Sequence, residues 1–204
     1  MKKNKVEYYL AEGISWVLNP AILALLIIGI GVWKSPMDPT IKIIWLLSVI
    51  AMDGIIPMFF YAYFLNKGYV FDGPVTEKTI HKNRVKIFVV ILFLIAIQIL
   101  ALISTHVYQP LLMVLTGGLL AVGFVLIITY FWKISLHSGM TTIFAAMLIA
   151  LYGIDKMWLA ILLIPLVFWS RLVLGRHNFW QLTGGVALAT LVVFLTLYIF
   201  KIVF

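Results

Sequence analysis

The sequence predicts an all-α bundle of six or seven transmembrane helices. Of the 204 residues, 64% are hydrophobic and only 11% are charged, whereas about 25% of the residues in a soluble domain are charged. The chain also contains several apolar runs of about twenty residues, which is the length that a helix needs to cross a bilayer. A soluble core could not use that much apolar surface, so we predict a single transmembrane domain over residues 1–204.

The elements follow from apolar length and from the residues at each end. Residues 1–13 mix charged and aromatic side chains, which predicts an interfacial segment. Pro20 and Pro110 fit the first turns of their helices, and Asp155 and Lys156 form a polar turn between the fifth and sixth segments. The apolar segments of spanning length are 14–33, 41–65, 86–105, 108–131, 137–154, 157–174 and 181–203.

Asp53 interrupts this pattern because it falls in the middle of the second apolar segment. A carboxylate inside a membrane is costly and by default indicates function. Gly54 and Pro57 beside it predict a break or a kink in the helix. A basic partner, a cavity lining and a protonated carboxyl all fit Asp53 at this point. An intramembrane carboxylate is also typical of transporters, so a small proton-coupled transporter is one alternative function.

The other polar residues gather at three junctions between predicted helices. Counting the segments places all three junctions on one membrane face, whereas His106 falls at a junction on the opposite face. The residues concerned are Lys78, His81, Lys82 and Arg84 at the first junction, Lys133, Ser135 and His137 at the second, and Ser170, Arg171, Arg176 and His177 at the third.

Two imidazoles beside several fixed cations suit phosphoryl transfer. The transition state spreads negative charge over the phosphoryl oxygens, so positioned cations stabilise it, while one imidazole can attack phosphorus and the other can protonate the leaving oxygen. His177 and Gln181 share a face if the last helix starts near Arg176, and the carboxamide oxygen of Gln181 could then accept the Nδ1–H of His177. We expect the backbone amides of Ser138 and Gly139, at a helix N-terminus, to add donors for an anion.

The third junction resembles a motif of the type 2 phosphatidic acid phosphatase superfamily, the integral-membrane lipid phosphatases. That family carries the motifs K-x6-R-P, P-S-G-H and S-R-x5-H-x3-D, in this order. Ser170, Arg171 and His177 match the third motif in type and spacing, and Gln181 stands where the family usually has Asp.

The first two motifs match in part. Ser135 and His137 keep the Ser and His of the second motif, without its Pro and Gly. Lys78 and Arg84 correspond to the first motif with one residue fewer between them, and no Pro follows Arg84. The resemblance therefore covers residues 78–204, which we interpret as a phosphatase-like core.

The resemblance implies a role for each matching residue. His177 would be the nucleophile that accepts the phosphoryl group, and His137 would be the general acid for the leaving group. Gln181 would orient His177, although a neutral amide cannot stabilise an imidazolium as an Asp would. The phosphate-binding residues would be Lys78, Arg84, Ser135 and Arg171.

The resemblance also implies a substrate class and a location. The substrate would be a polyprenyl phosphate or diphosphate, phosphatidic acid or phosphatidylglycerol phosphate, hydrolysed in the cell membrane without a metal or other cofactor. No residue chooses among these lipids, and the oligomeric state stays open. The net charge of +8 is attributed to membrane flanks and an anionic substrate rather than to nucleic acid. A catalytically silent relative that only binds lipid phosphates is the second alternative.

The distribution of cations predicts the membrane face of the site. Of the 15 Lys and Arg residues, eleven fall on the face of the three junctions, and those on the other face are Lys34, Lys42, Lys156 and Lys201. The excess persists when Lys78, Arg84 and Arg171 are set aside as site residues. The positive-inside rule therefore predicts a cytoplasmic site, whereas bacterial members of the family mostly work on the outer face.

Overall fold

The computed structural model describes the backbone of residues 5–66, 77–105 and 108–202, and this part of the chain is almost entirely helical; the side chains of residues 64–84 lie outside this description. No β-strand occurs in these ranges, which confirms the all-α prediction. The helices are α1 Lys5–Val17, α2 Pro20–Lys34, α3 Pro39–Val49, α4 Ile56–Asn66, α5 Glu77–Thr105, α6 Gln109–Phe131, α7 Leu136–Tyr152, α8 Ile154–Met157, α9 Leu163–Val173 and α10 Phe179–Ile199. A π-helical turn, Ile50–Ile55, joins α3 to α4, and a 3₁₀ turn, Trp158–Leu162, joins α8 to α9.

Six stretches within the described ranges are long and apolar enough to cross a membrane. Helix α7, with 17 residues, is shorter than these; at 1.5 Å per residue it spans about 26 Å. The chain is therefore a multi-pass membrane protein, as predicted. The six stretches are Lys5–Lys34, Pro39–Tyr63, Val85–Thr105, Gln109–Phe131, Ile154–Val173 and Phe179–Ile199.

The first stretch is two helices rather than one. The helix stops at Leu18 and Asn19, and the side-chain oxygen of Asn19 accepts a hydrogen bond from the amide of Ala21 at 2.9 Å. Pro20 then occupies the first position of α2, where its missing N–H costs nothing. Helix α1 therefore covers most of the segment predicted to be interfacial and extends beyond it.

The chain divides into two compact units, residues 1–27 with 134–204 and residues 28–133. The predicted phosphatase-like core, 78–204, includes residues of both units. In the first unit, α7 packs against α10 and α9, and α1 packs against α9. Its apolar core joins Leu18, Leu23 and Val167 to partly buried neighbours, which are Ile14, Met140, Phe144 and Leu163.

The second unit is built on the pairing of α5 with α6. Ser35, at the end of α2, ties this pair to its neighbour, since its hydroxyl donates to the carbonyl of Gly31 at 2.8 Å and accepts the amide of Leu111 at 3.2 Å. Asp53 lies in the π-helical turn, where its Oδ2 accepts a hydrogen bond from Nε2 of Gln98 at 2.9 Å. The predicted break at Asp53 is therefore a change of helix type, and the described partner of its carboxyl is a neutral amide.

Candidate phosphate site

The end of α9 supplies a buried cation. Arg171 is only 6% exposed, and its Nη1 donates to the hydroxyl of Ser15 on α1 at 2.8 Å. The Nε–H of the same guanidinium is buried and has no hydrogen-bond partner in the described part of the chain. Within that part no carboxylate lies within ion-pair distance of Arg171. A buried guanidinium with an unused donor and no counter-ion is suited to binding an anion.

Ser170, next to Arg171, fixes the end of α9 against α1. Its hydroxyl, which is fully buried, donates to the backbone carbonyl of Ala11 at 2.6 Å. Arg176, in the turn after α9, lies 3.6 Å from a carboxylate oxygen of Glu12. Ala11, Glu12 and Ser15, which lie within little more than one turn of α1, thus contact the Ser-Arg-x5-His segment.

The start of α10 positions the second site element, His177. Asn178 is the N-cap: its side-chain oxygen accepts the amide of Gln181 at 2.9 Å, and Oε1 of Gln181 accepts the amide of Asn178 at 3.3 Å. This reciprocal pair is a capping box, which satisfies two amides that a helix start otherwise leaves unpaired. The Nδ1 of His177 lies 3.0 Å from the same Oε1.

The tautomer of a neutral His177 follows from this geometry. A backbone N–H can only donate, so the atom of Gln181 that faces the amide of Asn178 must be the oxygen. Because that oxygen can only accept, the Nδ1 of His177 must be the donor. When the ring is neutral, it is therefore the Nδ1–H tautomer, and Nε2 then carries the lone pair. The hydrogen bond that the sequence predicts between His177 and Gln181 is present.

The start of α7 positions His137. Ser135 is the N-cap of α7, and its hydroxyl accepts the amide of Ser138 at 3.4 Å. Two hydrogen bonds also bind the start of α7 to the start of α10. The amide of Ser135 donates to the backbone carbonyl of Gln181 at 3.0 Å, and the hydroxyl of Ser138 donates to the backbone carbonyl of Leu182 at 2.9 Å. His137 and His177 are therefore carried by two helix starts that are joined directly to each other.

The expectation for the amides of Ser138 and Gly139 is wrong. The amide of Ser138 donates to the hydroxyl of Ser135, and the amide of Gly139 donates to the backbone carbonyl of Ser135 at 3.2 Å. Both amides are used inside the first turn of α7 and are not aimed at a ligand. Ser135, a predicted phosphate ligand, is fully buried and serves as this cap.

The imidazole of His137 completes the group. Its N–H donates to the backbone carbonyl of Ser15, and Arg171, Arg176 and His177 all lie close enough to act on it electrostatically. Arg176 acts in the same way on Arg171. Two guanidiniums and a second imidazole thus lie within electrostatic range of His137, and an anion bound there would offset the repulsion between the two arginines.

The structure brings together five of the seven predicted site residues and adds others. Lys78 and Arg84 belong to α5, but their side chains fall outside the described residues. Ser15, Ala11 and Glu12 on α1 were not predicted. Ser15 offered a signal: it is a polar residue in an apolar run, and it lies one helical turn after Ala11, the other buried residue of α1. The predicted residues that come together are Ser135, His137, Arg171, His177 and Gln181.

Comparisons with known proteins identify no relative: no family model, no curated protein and no solved structure matches the chain. Among the described residues, no three His, Asp or Glu side chains are grouped as metal ligands. Metal independence stays a prediction for assay.

Proposed function

We propose that this chain is an integral-membrane phosphatase that hydrolyses a lipid phosphate or diphosphate through a phosphohistidine at His177. The observation that carries the proposal is the convergence of His177, His137 and Arg171 at three joined helix ends, with the Nε–H of Arg171 unused. Buried guanidinium donors match phosphate oxygens in geometry and charge. The three residues also occupy the positions at which the chain resembles the phosphatidic acid phosphatase motifs.

The first half-reaction uses the two imidazoles in different roles. The Nε2 lone pair of His177 attacks phosphorus, and the bond from phosphorus to the lipid oxygen breaks. His137, protonated when the anionic substrate is bound, gives its proton to the leaving oxygen. Arg171 stabilises the charge that develops on the phosphoryl oxygens. The products of this step are the lipid alcohol, or the monophosphate from a diphosphate, and the phosphohistidine.

The second half-reaction returns the enzyme to its starting state. Water attacks the phosphohistidine, and His137, now neutral, takes a proton from that water. The nitrogen–phosphorus bond breaks, inorganic phosphate leaves, and His177 recovers its lone pair. Gln181 keeps the ring in one tautomer throughout, because its oxygen holds the Nδ1–H.

The test is His177→Ala, assayed for phosphate release from a panel of lipid phosphates and diphosphates in mixed micelles. A nucleophile has no substitute, so activity should fall by at least about a thousandfold, while the thermal unfolding of the protein stays close to that of the wild type. His106→Ala is the matched control, since the sequence places His106 on the opposite face, and it should retain activity. Activity above a tenth of the wild-type value in His177→Ala contradicts the assignment.

The alternative of a silent lipid-phosphate-binding relative is favoured by one observation, the neutral Gln181 at the usual Asp position. The same panel separates the two functions. A wild-type protein that binds lipid phosphates in vesicles without releasing phosphate is a binding protein. A wild-type protein that releases phosphate, with loss on His177→Ala, is an enzyme.

A further inference from the structure

The N-terminal helix α1 presents one buried stripe to the candidate phosphate site. Ala11 and Ser15 are the buried residues of this helix and lie one turn apart. Its other faces carry large exposed side chains, among them Tyr9, Trp16 and Val17, which are suited to contact with lipid. Helix α1 therefore has a single protein-facing stripe, and that stripe contacts α9 and His137.

Within this stripe, Ser15 contacts two members of the site through two different atoms. Its hydroxyl oxygen accepts Nη1 of Arg171 at 2.8 Å, and its backbone carbonyl accepts the N–H of His137. The residue is only 3% exposed. Because Nη1 is taken by Ser15, the guanidinium is held in one orientation, and its Nε–H remains unused.

The carbonyl of Ser15 is available because α1 ends there. In the last turn, the amide of Leu18 donates to the carbonyl of Ile14 at 2.9 Å, and the amide of Asn19 donates to the carbonyl of Trp16 at 3.2 Å. Neither of these amides donates to the carbonyl of Ser15, which lies between the two acceptors. Carbonyls in the last turn of a helix need partners from outside the helix. The imidazole of His137 meets that need, and its second nitrogen then becomes the one that can exchange a proton with a ligand.

We propose that Ser15 is the positioning residue of the phosphate site, setting the orientation of Arg171 through its hydroxyl and that of His137 through its carbonyl. The proposal rests on the proposed function. Ser15 acts through its two neighbours and touches no reacting atom. Ser15 ties α1, which precedes the family-like region, to a site whose motif residues all come after residue 77, so the helix Lys5–Val17 belongs to the proposed phosphatase unit.

The first experiment is Ser15→Ala, which removes the hydroxyl and keeps the carbonyl. A lost hydrogen bond to a charged group should lower kcat/KM for lipid phosphate by about ten- to a hundredfold. The matched control is Ser35→Ala, another buried serine whose hydroxyl also holds a neighbouring element, and it should keep kcat/KM within about twofold of the wild type. Equal kcat/KM in Ser15→Ala and wild type, or an equal loss in Ser35→Ala, overturns the proposal.

A double-mutant cycle distinguishes positioning from general loss of structure. If Ser15 acts through Arg171, then Ser15→Ala should have little further effect in an Arg171→Gln background. Full additivity of the two losses overturns the proposal. Should Ser15→Ala reduce the yield of folded protein, the pair Ser15→Thr and Ser15→Val replaces it, because the two side chains are nearly isosteric and only Thr keeps the hydroxyl. Higher kcat/KM in Thr than in Val supports the proposal, and equal values overturn it.

Failure of the proposal and failure of the proposed function give different results. If the wild type releases phosphate and Ser15→Ala is equally active, only the role of Ser15 is lost. If the wild type neither releases phosphate from the panel nor gains thermal stability with inorganic phosphate, the phosphatase and the role of Ser15 are both lost. If the wild type is stabilised by inorganic phosphate without activity, a smaller stabilisation in Ser15→Ala supports positioning of Arg171 for binding, and equal stabilisation overturns it.

Discussion

At the scale of single residues, Gln181 combines a structural and a chemical task. Its Oε1 accepts two N–H groups, from the backbone of Asn178 and from the ring of His177. The first contact completes a helix cap, and the second sets the tautomer of the proposed nucleophile. The family-like Asp at this position would add a negative charge, whereas the neutral amide supplies orientation alone. This difference makes Gln181 the residue whose substitution says most about the site.

We predict opposite outcomes for two substitutions of Gln181. Gln181→Glu keeps the length of the side chain and adds a charge that stabilises an imidazolium, so turnover should be preserved or raised. Gln181→Leu leaves the Nδ1–H of His177 without this acceptor and should lower turnover by about 1–3 kcal/mol of transition-state free energy. The measurement is kcat for both variants on one lipid phosphate. If the kcat of Gln181→Leu equals that of the wild type and Gln181→Glu is inactive, Gln181 serves only as a helix-capping residue.

How much of the site the sequence reveals depends on the distance along the chain. His177 and Gln181 are four residues apart, so helical spacing predicts their hydrogen bond, which is present. Arg171 and Ser15 are 156 residues apart, and no local pattern links them. The motif spacing predicts that Arg171 binds phosphate, but the partner that orients its side chain becomes visible only in the folded chain.

At the scale of elements, the contact between α7 and α10 positions the two imidazoles. The helices approach closely because Gly139 and Gly185 face each other: a Cβ on Gly139 would lie 3.2 Å from the carbonyl oxygen of Gly185. At the start of α7, a Cβ on Gly185 would collide with the backbone carbonyl oxygen of Ser135 and with the side-chain hydroxyl of Ser138. Small residues serve this purpose in membrane helices, since they let backbones approach.

We therefore predict that Gly185→Ala separates the starts of α7 and α10. The added methyl group meets backbone, which cannot move aside as a flexible side chain can. Thermal stability in detergent should fall by about 1–3 kcal/mol, and phosphate release should fall with it because His137 and His177 move apart. Gly13→Ala on α1 is the control, since a Cβ there meets nothing within 4 Å, and it should be neutral or stabilising. Equal stability of the two variants contradicts close packing at Gly185.

The second apolar segment illustrates what an element-level pattern can and cannot tell. Asp53, Gly54 and Pro57 predict an irregular helix, and the chain forms a π-helical turn at Ile50–Ile55. The pattern does not identify the partner of Asp53, which is Gln98 of α5, because the two residues are 45 apart in the sequence and Gln98 lies in an otherwise apolar run. A polar pair between membrane helices usually stabilises by about 0.6–2 kcal/mol, so this contact is accounted for by helix pairing.

At the scale of the whole molecule, hydrophobic length predicts the fold well. Each of the seven predicted apolar segments corresponds to a helix or to helices joined by a short turn, because crossing a bilayer demands a helix of nearly fixed length. The division into two units was not predicted, since it depends on which helices pack together. Apolar runs carry little information on that choice: lipid tails and neighbouring helices are almost equally good partners for an apolar side chain.

The orientation of the molecule in the membrane supplies the last prediction. The excess of Lys and Arg on the face of the three junctions predicts a cytoplasmic site. The chain has no cysteine, so Lys133→Cys, before α7, and Lys156→Cys, after it, can each be labelled alone. A thiol reagent that cannot cross membranes should label position 156 in intact cells, whereas position 133 should react only after permeabilisation. The opposite pattern would put the site on the outer face, where a lipid phosphate must first cross the bilayer to be hydrolysed. Each variant removes only one cation, so the excess of Lys and Arg on the face of the three junctions persists in both, and the orientation of the protein should stay the same.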